Sequence, residues 1–172
     1  MAYINIEIKA RTNKTEQIRQ FLLENGADYK GLDIQTDTYF NVLTGRLKLR
    51  QGNIENSLIF YNRQDLTGPK QSDFDLMEVV ENGDTLKSIL SKAMGVKIIV
   101  TKKREIYFIR NIKFHLDTLE GLGQFVEIEA TNKHTNISVK ELRDQCNFFM
   151  AGLGINHEDL VPVSYSDMLL GD

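Results

Sequence analysis

Two-residue alternation of apolar and charged side chains recurs along this chain and constrains its fold more than any other feature. Between Tyr3 and Arg11, Ile4, Ile6, Ile8 and Ala10 fall on one face of an extended strand, and Asn5, Glu7, Lys9 and Arg11 fall on the other. Arg46, Lys48 and Arg50 alternate with Leu47 and Leu49. From Ser57 the same spacing groups Ile59, Tyr61 and Arg63. Lys102 shares a face with Arg104, and Lys113, His115 and Asp117 stand opposite Ile112, Phe114 and Leu116. Glu127 and Glu129 oppose Val126, Ile128 and Ala130. A chain patterned this way is built mainly from strands.

Turn signals at Thr44-Gly45, Gln51-Gly52-Asn53 and Thr67-Gly68-Pro69 separate short strands. Longer strands are expected over Val96 to Arg104, Asn111 to Asp117 and Gln124 to Thr131. Three helices interrupt them. Asn13 with Glu16 predicts a capped start to the first, which ends before Gly26 and presents Ile18, Phe21, Leu22 and Leu23 as its apolar side. Asp84 caps the second, which runs to Gly95 with Leu86, Ile89, Leu90 and Ala93 at helical spacing. Ser138 and Glu141 predict a capping box for the third, which ends near Gly152 or Gly154. Its stripe is Val139, Leu142, Cys146, Phe149 and Leu153. Runs of strands with few helices argue for an antiparallel α+β fold.

Charge on alternate strand positions allows two architectures. An open antiparallel sheet can simply wet that face. Alternatively, the sheet closes into a barrel of about eight strands with room for one small ligand, and the charges point inward. A lumen basic on some strands and acidic on others suits a polyphosphate held with metal ions, since Lys and Arg grip phosphate oxygens and clustered carboxylates hold Mg²⁺ or Mn²⁺.

Composition bounds the rest. The 172 residues suit one domain, expected here to span 1–172. A net charge of −3 gives no reason to expect nucleic acid or an anionic membrane as partner. No apolar run approaches the roughly 20 residues of a membrane span, and no signal peptide is recognised, so a cytoplasmic location is expected. Asn13-Lys14-Thr15 and Asn136-Ile137-Ser138 match the glycosylation pattern but carry no weight in such a location. The single Cys146 excludes an internal disulfide and, on an apolar helix stripe, reads as a buried thiol. There is no GxxxxGK[ST] loop, Gly121-Leu122-Gly123 lacks the third glycine of a dinucleotide fingerprint, and His115, His134 and His157 are too scattered for a zinc motif.

The residue identities resemble, in order, the blocks of the CYTH superfamily of triphosphate tunnel metalloenzymes. Asn5-Ile6-Glu7-Ile8-Lys9 is similar to the ExExK signature, and Gln35-Thr36-Asp37-Thr38-Tyr39-Phe40 to the segment after the first helix. Leu47-Lys48-Leu49-Arg50 resembles the LRLR strand, with Arg63 at the next basic position, and Thr101 to Phe108 resembles the K-x-R strand. His115-Leu116-Asp117 followed by Gly121 to Glu129 is similar to LD…GLGxFxEIE. Ser164 to Leu170 resembles the SYxDLL tail of the class IV adenylate cyclase branch.

The resemblance implies an eight-stranded antiparallel barrel, a triphosphate tunnel with helices packed outside. It implies Glu7, Asp117, Glu127 and Glu129 as carboxylates of a Mg²⁺ or Mn²⁺ site, Asp117 as a ligand or from behind one. With Lys9 these form the expected catalytic set. Lys9, Lys48, Arg50, Arg63, Lys102 and Arg104 would grip the triphosphate, with Arg11 and Lys113 ranked lower. His115 stands beside the acidic cluster, and Tyr165 is expected to pack the tail against the barrel mouth. The expected partner is a nucleoside or other triphosphate, and a homodimer is left open. The reading favoured is cyclisation of ATP to cyclic AMP and pyrophosphate. Hydrolysis of tripolyphosphate or thiamine triphosphate is the alternative, and a non-catalytic nucleotide- or polyphosphate-binding module is a third. Position 5 departs from the signature: Asn stands where the family has Glu, removing one anionic metal ligand.

Overall fold

The computed structural model describes residues 3–63 and 65–171. Its strands are β1 (Tyr3–Arg11), β2 (Asp28–Phe40), β3 (Arg46–Gln51), β4 (Asn56–Arg63), β5 (Lys70–Glu78), β6 (Val96–Ile109), β7 (Ile112–Leu119) and β8 (Gly123–Thr131). They close into a barrel in the order β1-β5-β4-β3-β2-β6-β7-β8, and every neighbouring pair is antiparallel. Closure gives each strand two partners and leaves no edge exposed. It also decides between the two architectures left open by alternation, because the charged faces turn inward.

The outward faces are treated unequally. On β1, β7 and β8, helices α1 (Thr15–Glu24) and α3 (Val139–Gly152) cover the apolar positions. Ile6, Ile8, Phe114, Val126 and Ile128 meet Ile18, Leu22, Leu142, Cys146 and Phe149 in a single core. Burying each such side chain contributes about 1.5–3 kcal/mol, so this half holds most of the hydrophobic stabilisation. Cys146 is buried there, and its Sγ–H donates to the carbonyl of Ile6 at 3.1 Å. On the opposite side α2 (Gly83–Met94) contributes no buried residue.

Several local expectations are revised. The third helix does start with the Ser138–Glu141 capping box. The first has no side-chain cap: it begins at Thr15 after Lys14, whose N–H donates to Thr12 Oγ1. Leu23 is 52 % exposed, because a stripe of Ile18, Phe21 and Leu22 already fills the contact. Asp84 lies in the first turn of α2 and accepts from Gln51, while Asn82 occupies the cap position in the left-handed region. The apolar spacing of α2 buys little burial, and Ile89 is 57 % exposed. A fourth helix, α4 (Tyr165–Leu170), was not anticipated; Ser164 and Asp167 form its capping box. No helix among the described residues is long and apolar enough to cross a membrane.

Candidate active site

One wall of the lumen is basic and comes from β2, β3 and β6. Its centre is Asp37, fully buried, which accepts from Arg50 Nε and Nη2 at 2.9 Å each, Lys48 Nζ at 3.1 Å and Lys102 Nζ at 2.9 Å. Asp37 sits directly opposite Arg50 in the β2–β3 register, so the pair is set by the ladder itself. Burial would raise the Asp37 pKa, but Arg50, Lys102 and Lys48 hold it well below the usual carboxylate range. Two buried cations and the half-buried Lys48 need a buried counter-charge, and this carboxylate supplies it. Lys102 remains strained electrostatically: burial, with Arg104 and Arg50 nearby, pushes its pKa down to about 7 despite Asp37. Asp37 was not singled out from the sequence as a site residue. Its signal was the shared face of Asp33, Gln35, Asp37 and Tyr39.

The facing wall carries the carboxylates, on β1, β7 and β8. Register sets Glu7 opposite Glu129, Lys9 opposite Glu127, His115 opposite Glu127 and Lys113 opposite Glu129. Glu127 lies 3.2 Å from Lys9 Nζ, 3.2 Å from His115 Nδ1 and 3.4 Å from Arg104 Nη2. Burial opposes its charge, yet Lys9 and Arg104 keep its pKa well below normal. Glu7 pairs with Arg63 at 2.6 Å. Glu129 is engaged more loosely, with His115 Nδ1 3.9 Å away. Burial, then Arg104, lowers the His115 pKa, which favours a neutral imidazole. Its Nε2 and the Oδ1 of Asn5 are buried without hydrogen-bond partners among the described residues.

A cavity of about 1130 Å³ runs between the walls. Glu7, Lys9, Lys48, Arg50, Arg63, Lys102, Arg104, Lys113, Glu127 and Glu129 all line it, so most of the expected site residues converge on one space. Two do not. Arg11 is exposed, donates to the carbonyl of Leu122 at 2.9 Å and lines a separate, smaller cavity. Asp117 lies behind the wall, bound by Arg104 at 2.7 and 2.6 Å and by the hydroxyl of Tyr165 at 2.7 Å. It orients Arg104 and has little free lone-pair capacity for an ion. Toward the other end, Ile54, Leu76, Val79, Val80 and Phe108 give the lining an apolar sector.

The C-terminal segment packs against one end of the barrel. Val161 N–H donates to the Lys9 carbonyl at 2.9 Å, and Lys70, buried on β5, donates to the Pro162 carbonyl at 2.8 Å. Tyr165 then packs on Phe125 and places its ring 3.7 Å from Lys9 Nζ. Arg46 fastens α4 through Asp167 at 2.9 Å. The expected packing role of Tyr165 thus has a polar component as well, through Asp117.

The donor set fits a divalent cation. His115, Glu127 and Glu129 each offer a ligand atom, all within 4.8 Å of one another, and oxygen donors beside a neutral imidazole suit such an ion. Against known proteins, the CYTH domain family model matches residues 3–165. The chain belongs to the CYTH domain family. A protein of Methanocaldococcus jannaschii named "Putative adenylate cyclase MJ0240" is 24% identical over 176 residues, covering 96% of this chain and 98% of that protein. The solved PH1012 protein of Pyrococcus horikoshii superposes with a TM-score of 0.80 at 24% identity, covering 95% of this chain and 98% of that one. Hippeastrum HpAC1, named as a "putative adenylyl cyclase" that "reveals a dominant" triphosphatase activity, has a TM-score of 0.65 at 14% identity and covers 98% and 94%. At these identities the two structures share the CYTH barrel with this chain.

Proposed function

We propose that this CYTH chain acts as one domain that binds a triphosphate in the barrel with Mg²⁺ or Mn²⁺ and turns it over, with ATP cyclised to cyclic AMP and pyrophosphate as the leading reaction. The observation carrying this reading is the confrontation of a basic and an acidic wall across one cavity. Arg50, Lys102 and Arg104 are held by buried carboxylates from behind, so these donors are already placed where phosphate oxygens would lie. Lys9, Lys48, Arg63 and Lys113 extend that grip along the lumen. An apolar sector of the lining offers room for an organic group attached to the phosphates.

Glu127 and Glu129 with His115 would hold the ion, and Glu7 would join once a phosphate draws Arg63 away. When bound, such an ion supplies Lewis-acid polarisation of phosphoryl oxygens and eases deprotonation of an attacking hydroxyl. Lys9 has a related part. It leaves Glu127 for a phosphate oxygen, freeing that carboxylate, so substrate and metal binding favour each other. In cyclisation the ribose 3′-oxygen attacks the α-phosphorus and pyrophosphate departs into the Arg and Lys wall. Hydrolysis at the terminal phosphorus is the second reading, in keeping with the activity named for HpAC1; Asn5, which leaves the acidic wall one charge short, favours instead a module that binds without turnover.

The deciding experiment incubates purified protein with ATP, tripolyphosphate and thiamine triphosphate, each with Mg²⁺ or Mn²⁺, and separates the products. Cyclic AMP with pyrophosphate supports the leading reading, and orthophosphate with a shortened chain replaces it with the second. No product from any substrate, with binding retained, would leave a nucleotide- or polyphosphate-binding module.

A further inference from the structure

The carboxylates that organise the basic wall stand behind it: Asp37 and Asp117 are buried and do not line the cavity. Glu55 differs. It lies on the turn between β3 and β4, lines the cavity itself, and pairs with Lys113 of β7. Arg50 Nη1 is 3.6 Å from the same carboxylate, and Gln35 Nε2 donates to it at 3.0 Å. Strands β3 and β7 are separated in the barrel by β2 and β6, so this one side chain ties together cations of two non-adjacent strands.

The turn that carries Glu55 is fixed in its backbone. Asp33, fully buried, accepts from the N–H groups of Ile54 and Glu55 at 2.9 Å each, and Asn53 Oδ1 accepts from Ile34 N–H at 2.6 Å. A Cβ on Gly52 would collide with the Asp33 carboxylate, which keeps that position small. Burial works against the Glu55 charge, but Lys113 and then Arg50 hold its pKa well below the usual range. The result is an anion on a turn with a fixed backbone, its carboxylate seated on two cations of the cavity lining.

We propose that Glu55 is a built-in competitor for the substrate, occupying on Arg50 and Lys113 the place of a phosphate oxygen until a polyanion displaces it. This rests on the reading of the cavity as a triphosphate site. In the empty barrel the carboxylate relieves repulsion between the two cations. A phosphate carrying more than one negative charge outcompetes the single charge of a carboxylate, whereas a monovalent anion does not. The apparent affinity for triphosphate is then the intrinsic affinity reduced by the fraction of molecules in which Glu55 has swung away.

The test is calorimetric titration with diimidotriphosphate, whose P–N–P bridges resist cleavage, in the presence of Mg²⁺. If Glu55 engages its cations in about nine molecules of ten, Glu55→Gln binds the probe about tenfold tighter than wild type. Glu78→Gln removes the same charge from the same lining without touching Arg50 or Lys113, and should gain less than about twofold. Glu55→Asp, which shortens the reach by one methylene, should also tighten binding and serves if the Gln variant fails to fold. Affinity unchanged or weakened in the Glu55 variants would overturn the proposal, as would an equal gain in Glu78→Gln. No binding by wild type or variant would instead remove the triphosphate reading, and this inference with it.

Discussion

The two walls of the lumen solve the problem of buried charge in opposite ways. On the basic wall one carboxylate, Asp37, satisfies three cations with four short contacts and is itself out of reach of the cavity. On the acidic wall Glu7, Glu127 and Glu129 line the cavity, and their partners, Arg63, Lys9 and His115, are drawn from the lumen or its immediate wall. Apart from the Glu55 contact on Arg50, the basic wall is therefore in place before any ligand arrives. The acidic wall is held by temporary pairings that a phosphate and a metal would exchange for better ones. The electrostatic share of stability should be concentrated in the first wall and ligand response in the second, although the apolar core lies behind the second.

The largest effect that could break this contrast is on Asp37. Asp37→Ala leaves Lys48, Arg50 and Lys102 without their shared counter-charge, and removing one partner of a buried ion pair costs about 3–5 kcal/mol. Denaturant unfolding should show a loss of that size. A loss below about 1 kcal/mol would mean that solvent reaches these cations and that the wall is not preformed.

Next come the acidic-wall carboxylates. Glu129→Gln should abolish metal-dependent turnover and leave the melting temperature nearly unchanged, because among the described residues its ion-pair contact is a loose one, to His115 at 3.9 Å. Glu127→Gln should abolish turnover too, but lower stability measurably, since it uncouples Lys9, Arg104 and His115. Full activity in both variants would remove these residues from the metal site. Equal melting temperatures would erase the distinction between a loosely and a tightly paired carboxylate.

Lys102 sharpens the comparison from the basic side. Lys102→Ala should weaken triphosphate binding by about 1.5–3 kcal/mol, roughly 10- to 150-fold, as for other charge-assisted contacts. With its pKa pushed down to about 7 in the folded chain, this amine is largely neutral above that pH, whereas the unfolded chain holds its proton to about 10.4. The unfolded state therefore binds more protons between those values, and the Lys102 contribution to stability rises with pH across that window. Bound phosphate has the opposite demand. It restores the charged form, so binding takes up a proton above pH 7 and weakens by up to about tenfold per pH unit. Titration in buffers of different ionisation enthalpy should show that uptake in wild type and its loss in Lys102→Ala.

How much of this was legible beforehand depends on whether the cause was local. Strand faces followed from alternation on β1, β3, β7 and β8, and the helices α1 and α3 from their apolar spacing. Alternation assigns residues to a face without saying which face is inward; barrel closure decides that, through pairings such as Glu7 with Lys70 and Asp37 with Arg50. The missed participants are those whose role exists only across the barrel. Asp37 is read only as part of the Gln35–Phe40 block, and Glu55 and Lys70 stand in no motif at all. The inward Ser72, Phe74 and Leu76 of β5 mix polar and apolar types, so no charge pattern marked that strand. Arg11 differs in the opposite sense: it shares parity with Lys9 but is the last residue of β1, and its guanidinium lies over Phe125.

The smallest expected effect concerns Asn5, and it tests whether the acidic wall is incomplete by design. Asn5 pairs with Thr131 on one side and Ser72 on the other, so its immediate cross-strand neighbours carry no charge. Its Oδ1 is buried and without a partner among the described residues, a neutral acceptor where a carboxylate would need a cation. The nearest lumen acids, Glu7 and Glu129, would be crowded by a further negative charge unless an ion joins them. Asn5→Glu should therefore lower stability slightly in metal-free buffer and recover it as Mn²⁺ is added, with the half-saturating Mn²⁺ concentration shifted to lower values than in wild type. Thermal melting against Mn²⁺ reads this without any turnover. A variant that is destabilised equally at every Mn²⁺ concentration would show that position 5 does not face the ion at all, and that the shortened signature is a packing choice of the β1–β5 pair.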